Sequence, residues 1–132
     1  MRRGAAGGWT LALLWAAAVL GLAGSLWING AQSAAARDVN ALIERAEEAV
    51  MAGDWPRAHE AAGAAQQAWE RTRKVWALHT EHQELDAISD LLVEAAARVA
   101  VADSRAAVAL RRARHRIDAL PRRDALTVEN VF

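Results

Sequence analysis

The hydrophobic pattern begins with one uninterrupted apolar run near the amino terminus. Residues 9–28 (WTLALLWAAAVLGLAGSLWI) carry no charge, and Arg2 and Arg3 precede them. At ~1.5 Å of rise per residue, a helix of this length spans about 30 Å, the thickness of the hydrocarbon core of a bilayer. A helix also satisfies its own backbone hydrogen bonds in lipid. The run therefore predicts a transmembrane helix, and since no second run of this length follows, a single-pass protein.

The flanking charges predict the orientation of this helix. Arg2, Arg3 and the amino terminus are all positive, whereas Arg37 and Asp38 cancel on the other side. Because positive flanks stay on the cytoplasmic side, residues 1–8 should be cytoplasmic and residues 29–132 extracytoplasmic.

A cleaved signal peptide is the alternative interpretation of the same run. Ala31-Gln32-Ser33 offers a small-x-small cleavage site. The run is longer than the ~7–15 residues of a signal core, and Trp9 and Trp27 stand at its two edges, where tryptophan favours the headgroup region. These features favour an uncleaved anchor; cleavage would instead give a secreted binding protein.

Beyond the apolar run, apolar residues recur with helical spacing and predict four helices at about 31–52, 54–79, 81–102 and 104–120, followed by a tail at 121–132. Asn29-Gly30 is a turn signal before the first of them. Gly53 should end the first helix, and Asp54 should cap the second, with Pro56 in its first turn.

The later boundaries carry weaker signals. Because a single helix from 54 to 102 could not fold back on itself, a break is required, and Thr80 with Gln83 fits a capping box. Asp103 or Ser104 should start the fourth helix, and Pro121 should stop it. Helices joined by such short turns predict an all-α fold, an antiparallel four-helix bundle or two stacked hairpins.

The second predicted helix has the most regular pattern, since Trp55, Ala62, Trp69 and Trp76 recur every seven residues. Large rings alternating with alanines are typical of a seam between packed helices, and we expect Trp55, Trp69 and Trp76 to form such a core seam. In the apolar run, small residues at a spacing of four create a stripe on which two membrane helices could pack, namely Ala17, Gly21 and Ser25.

Charge is distributed unevenly along the chain, although the net charge is +0. Residues 37–97 contain six basic and twelve acidic residues, whereas residues 98–123 contain eight arginines and two aspartates. The arginine-rich fourth helix should therefore lie beside the acidic helices, although anionic lipid or cell-wall polymer remains an alternative contact. Nucleic acid is not expected, because no aromatic residues are interleaved with these arginines.

Candidate chemistry is sparse. The chain has no cysteine, which excludes disulfides, thiolate nucleophiles and cysteine-based zinc sites. No serine stands in a glycine elbow, and no glycine-rich phosphate loop follows a strand. His79, His82 and Asp86 are the candidate metal ligands, but their spacing does not match the His-Glu-x-x-His motif. We expect no enzyme activity, no cofactor and no small-molecule substrate.

Several of these features together resemble the domain of unknown function 4363 family of short bacterial proteins. They are the amino-terminal anchor, Gly53-Asp54-Trp55, the tryptophans of the second helix, His79-x-Glu81 and the closing residues 126–132 (LTVENVF). The resemblance implies a bacterial, membrane-anchored helical protein without an assigned activity. The apolar closing residues should dock back onto the bundle or be presented to a partner.

These inferences lead to one hypothesis and two alternatives. The hypothesis is a non-enzymatic, single-pass protein of the bacterial cell membrane, in which residues 29–132 form a structural or protein-interaction module. Its partners would be the lipid bilayer and another membrane protein or a second copy of the chain. The alternatives are a metal-binding or metal-sensing domain that uses His79 and His82, and the cleaved, secreted binding protein.

Overall fold

The computed structural model describes residues 3–78 and 80–131, with side chains described for residues 7–28, 30–78 and 80–120. Within these residues the chain forms four α-helices and no strand: α1 (Arg3–Met51), α2 (Trp55–Trp76), α3 (His82–Ala100) and α4 (Ala106–Val131). The all-α prediction is therefore confirmed. The chain divides into two compact units, Met1–Ala31 and Gln32–Phe132.

The first unit is helical throughout its described residues, and the apolar run lies within it. Over Gly7–Met51, α1 is long and apolar enough to cross a membrane. The turn predicted at Asn29-Gly30 does not form, because the backbone is helical through both residues. Glycine in a helix costs only about 1 kcal/mol, and alanines follow it here, so a local turn signal does not overcome the helix propensity of its surroundings.

In the second unit, residues 32–51 of α1 and the helices α2 to α4 share one hydrophobic core. α2 packs against α3, and α3 against α4. The largest fully buried side chains are Trp69, Ile43, Leu85, Ile88, Leu92, Leu110, Ile117, Leu120 and Val39. Alanines fill many of the remaining core positions, so the helix backbones can approach one another closely where no large side chain intervenes.

The turn between α1 and α2 forms as the sequence predicts. Gly53 adopts a left-handed φ of +69°, and the Asp54 N–H donates to the Ala49 carbonyl at 2.9 Å, as in a Schellman helix end. The Asp54 side chain then accepts a hydrogen bond from the Arg57 N–H at 3.3 Å, and Pro56 lies in the first turn of α2. This pair of caps reverses the chain within three residues.

The break between α2 and α3 lies in the expected region, but its cap differs. Glu81 occupies the N-cap position of α3 and makes no side-chain capping hydrogen bond. The Thr80 hydroxyl is buried and has no hydrogen-bond partner among the described residues. The predicted capping box of Thr80 with Gln83 is therefore wrong, because Thr80 precedes the cap by one residue.

α4 begins later and ends later than the sequence pattern predicts. It starts at Ala106, after a turn in which Ala102 has a φ of +53°, and its backbone stays helical through Pro121 to Val131. A proline inside a helix removes one backbone hydrogen bond and crowds the carbonyl of the preceding turn, but a helix can continue past it with a local bend. The side chains of 121–132 lie outside the described residues, so docking of this apolar segment stays a prediction.

Candidate interaction surfaces

The apolar surface of α1 is the largest uncovered one in the described residues. From residue 9 to residue 28 every large apolar side chain is exposed, with Trp9 at 77% and Trp27 at 76%. The candidate packing stripe of Ala17, Gly21 and Ser25 is exposed as well. Exposing such a surface to water is unfavourable by about 25 cal/mol for each Å² of apolar area, and exposed apolar surfaces of this size are typical of sites that contact lipid or another protein.

Polar side chains join α1 to α4. The Asn40 side chain donates to Asp118 Oδ1 at 2.6 Å, and Arg114 contacts two glutamates of α1, Glu44 at 2.9 Å and Glu47 at 3.2 Å. These pairs place the arginine-rich helix beside acidic residues, as the charge distribution predicts. They also fix which faces of α1 and α4 meet.

Glu47 is the most enclosed carboxylate of this contact, with 8% of the residue exposed. Burial raises the pKa of Glu47, and the positive charges of Arg114 and Arg111 oppose that rise. Arg111 is the weaker partner, since its Nε lies 3.9 Å from Glu47 and its side chain is 67% exposed. Arg114 is therefore the residue that compensates the buried charge.

A cleft of about 400 Å³ opens beside this contact and is lined by Arg37, Asn40, Ala41, Glu44, Arg111, Arg114, His115 and Asp118. Both positive and negative groups line it, and several of them already pair with one another. The cleft therefore presents no surface of one charge sign, of the kind that binds a phosphate or a cation.

A second polar network joins α2 to α3 around Ser89. Its hydroxyl accepts hydrogen bonds from Trp69 Nε1 and Arg73 Nη1, both at 2.9 Å, and contacts a Glu70 carboxylate oxygen at 3.4 Å. Arg73 also forms an ion pair with Asp86. The hydroxyl thus satisfies the indole N–H of a fully buried tryptophan, which is a structural role.

A wider cleft of about 800 Å³ runs between α3 and α4. Its apolar floor is formed by Ala87, Leu91 and Val108, and Val108 is 51% exposed. The α3 side carries Asp90 and Glu94; the α4 side carries Arg111, Arg112, His115 and Arg116. An apolar centre with a polar rim is typical of a protein-binding surface. We call this surface the α3–α4 cleft.

Of the three candidate metal ligands, the structure describes His82 and Asp86. His82 is exposed at the first position of α3, Asp86 pairs with Arg73, and His79 lies outside the described residues. Where the structure describes the chain, no group of three or more histidine, aspartate or glutamate residues could hold a metal ion.

The tryptophans predicted to form a seam lie on the inner face of α2. Trp69 and Trp76 are buried, and Trp55 is partly buried against the same core. Sequence reasoning missed the role of Ser89 and the pairing of Asn40 with Asp118. The available signal was position: each of these polar residues directly follows a buried one in an otherwise regular apolar pattern.

One comparison with known proteins finds a match. The family model described as "Domain of unknown function (DUF4363)" matches residues 26–131, a range that includes α2, α3 and α4, so the resemblance seen in the sequence is confirmed. No curated protein and no solved structure matches the chain.

Proposed function

The chain belongs to the DUF4363 family, and from this premise and its own surfaces we propose that it is a single-pass protein of the bacterial cell membrane. Residues 9–28 anchor it, and residues 29–132 form a non-enzymatic structural or protein-interaction module outside the cytoplasm. Its first partner is the lipid bilayer; its second is another membrane protein or a second copy of the chain.

The observation that carries this proposal is the exposure of the entire apolar run. A core helix of a soluble domain buries one face, whereas the large side chains of residues 9–28 are exposed all around the helix. A helix that is apolar on every side is typical of a membrane span. The tryptophans at its two ends match the preference of this residue for the headgroup region.

A non-enzymatic role is supported by the way the polar side chains are used. Ser89 holds the indole of Trp69, Asp86 neutralises Arg73, and Arg114 compensates the buried Glu47. Each of these groups stabilises the contact between two helices. A catalytic group instead has to face a substrate-sized pocket, with a base or nucleophile beside it.

The experiment is a membrane extraction of the full chain, carrying a carboxyl-terminal epitope, from bacterial cells. We expect the unaltered protein to stay in the membrane pellet after alkaline carbonate treatment. Arginine near the centre of a membrane helix costs about 2.5–3.5 kcal/mol, so the double variant Leu14→Arg with Leu20→Arg should move most of the protein to the supernatant. The control adds the same charges outside the run, at the exposed positions Val75 and Val101, and should stay in the pellet.

The outcome that would overturn the proposal is an unaltered protein in the soluble fraction before any extraction. The mass of the purified chain distinguishes the anchored form from the secreted alternative, because cleavage near Ala31-Gln32-Ser33 would remove the whole apolar run. An intact mass together with carbonate resistance supports the anchored form.

A further inference from the structure

We propose that the α3–α4 cleft binds the same cleft of a second copy of this chain, in a two-fold symmetric dimer in which Asp90 of each copy faces Arg112 of the partner subunit. The inference rests on the proposed interaction role of the domain and names its partner. Three observations support it. One acidic and one arginine side chain in the cleft are unpaired, the acidic residues lie on α3 and the basic residues on α4, and the two unpaired residues lie at a similar position along the helix axes.

Most charged residues near the cleft already have partners within the chain. Arg116 pairs with Glu84 at 3.1 Å, Arg98 pairs with Glu94 at 3.0 Å, and Arg114 pairs with two glutamates of α1. Asp90 and Arg112 are both exposed and line the cleft, yet among the described residues neither forms a hydrogen bond or an ion pair. The cleft therefore has one free carboxylate, Asp90 on α3, and one free arginine, Arg112 on α4.

The order of the charges makes the cleft complementary to itself. α3 and α4 are antiparallel, because a short turn joins them and Glu84 near the start of α3 pairs with Arg116 in α4. A second copy rotated by 180° about an axis parallel to these helices places its α4 over α3 and its α3 over α4. The acidic side then faces the basic side twice. Rotation about an axis across the helices would instead bring like charges together, which is unfavourable.

The level of the two residues along the helices agrees with this arrangement. α3 ends at Ala100 close to the start of α4 at Ala106, and Glu84 pairs with Arg116 at the other end. Asp90 thus lies at about the level of Arg112. Rotation about an axis parallel to the helices keeps that level, so each Asp90 meets Arg112 of the partner subunit, and the apolar floor of Ala87, Leu91 and Val108 is covered between them.

Membrane anchoring favours such a dimer although the cleft is small. Two copies held in one bilayer bind at a high effective concentration, so a modest interface suffices. The charge pairs supply specificity and orientation more than affinity.

The test uses charge reversal at the two free residues of the full chain. Asp90→Arg places two arginines opposite each other, and Arg112→Asp places two aspartates opposite each other, so neither variant should bind itself. A mixture of the two variants restores opposite charges at both pairs and should bind. Two copies of the chain that carry different epitopes are expressed together and solubilised in mild detergent. An antibody against one epitope captures the first copy, and the amount of the second copy captured with it is measured.

When both copies carry the same single substitution, we expect the amount of the second copy captured with the first to be at least tenfold lower than for the unaltered protein. This corresponds to a loss of about 1.4 kcal/mol or more in binding free energy. The mixed pair should recover at least half of the unaltered amount. The matched control reverses two exposed charges on α2, Glu60→Arg and Arg71→Asp, and should change nothing. Circular dichroism of every variant should show the unaltered helix content.

Two results would overturn the proposal. One is an unaltered protein that stays in the membrane but recovers no second copy, because the cleft then does not bind a second copy. The other is self-association that persists in both single variants, which points to the stripe of Ala17, Gly21 and Ser25. The amount of each variant in the membrane pellet is measured in parallel. A variant that stays in the pellet but does not bind a second copy has lost the dimer contact and not the membrane anchor.

Discussion

Ala102 has the backbone conformation that glycine has in the equivalent turn. Its φ is +53°, whereas Gly53 has a φ of +69° at the end of α1. In both turns the following aspartate N–H donates to a carbonyl five residues earlier, Ala49 in one and Arg98 in the other. A left-handed alanine costs roughly 1 kcal/mol relative to glycine, which has no Cβ to clash.

Replacing Ala102 with glycine should therefore stabilise the protein, and Gly53→Ala should destabilise it. We expect changes of about 0.5–1 kcal/mol in the free energy of unfolding, in opposite directions, because the greater chain entropy of unfolded glycine offsets part of the gain. Urea unfolding of the full chain in a nonionic detergent, followed by circular dichroism, measures both. A less stable Ala102→Gly variant would contradict the prediction.

Asp103 gives the same turn a dependence on pH. Hydrogen bonds from the Arg105 side chain and backbone, with a further one from Arg98, lower the pKa of Asp103. Because the folded pKa lies below the unfolded value of about 3.9, the stabilisation is complete well above pH 4 and is lost as the pH falls through and below 4. The melting temperature of Asp103→Asn should thus be below that of the unaltered protein at pH 6.

At pH 3 the two melting temperatures should approach each other, since Asp103 is then protonated in the unfolded chain. Ser104→Ala, in the same turn, carries no titratable group and serves as the control, with a difference that does not change with pH. A constant gap between Asp103→Asn and the unaltered protein from pH 6 to pH 3 would exclude this role.

At the scale of helices, one arginine should account for most of the polar contact between α1 and α4. Arg114→Met leaves Glu47 buried without its closest positive charge, and we expect a loss of about 1–3 kcal/mol at pH 7. Arg111→Met removes an exposed partner at 3.9 Å and should cost at most about 0.5 kcal/mol. Urea unfolding in detergent compares the two variants.

The pH dependence of this loss has a defined sign. Burial raises the pKa of Glu47, so the folded state disfavours its ionised form, and stability falls as the pH rises through the folded pKa. The cost of Arg114→Met should therefore shrink at pH 4, where Glu47 is largely protonated. Equal losses in the two variants at pH 7 would show that Arg114 has no special role.

The helices of the second unit could be predicted from the sequence because their signals are local. Helical spacing predicted that these segments are helices, and Gly53, Asp54 and Pro56 predicted the first turn by their own backbone chemistry. The end of α3 carried no such signal, since Ala102 occupies the position where glycine is usual. The start of α4 was consequently placed two or three residues too early, and the true start is Ala106.

The contacts between helices could be predicted only in outline. The charge distribution indicated that α4 lies beside acidic helices, but it did not assign Arg114 to Glu47 or Arg116 to Glu84. These choices depend on helix rotation and level, which neighbouring residues do not determine. The free charges of the α3–α4 cleft were missed for the same reason, because only the structure shows which charges remain unpaired.

At the scale of the whole molecule, the orientation across the membrane is the prediction with the widest consequence. The chain has no cysteine, so a single introduced cysteine reports its own side of the membrane. Ser104→Cys, in the exposed turn before α4, should react with a membrane-impermeant maleimide added to spheroplasts. Gly4→Cys should react only after the cells are lysed.

The physical cause is the distribution of positive charge around residues 9–28, and it can be reversed. Arg2→Gln with Arg3→Gln, combined with Gly30→Arg and Ala31→Arg, moves two positive charges to the other end of the helix and should invert a large share of the molecules. Labelling of Ser104→Cys in spheroplasts would then fall. Reaction at Ser104→Cys only after lysis in the unaltered background would place the helical domain in the cytoplasm, where the dimer could still form but the proposed extracytoplasmic role could not.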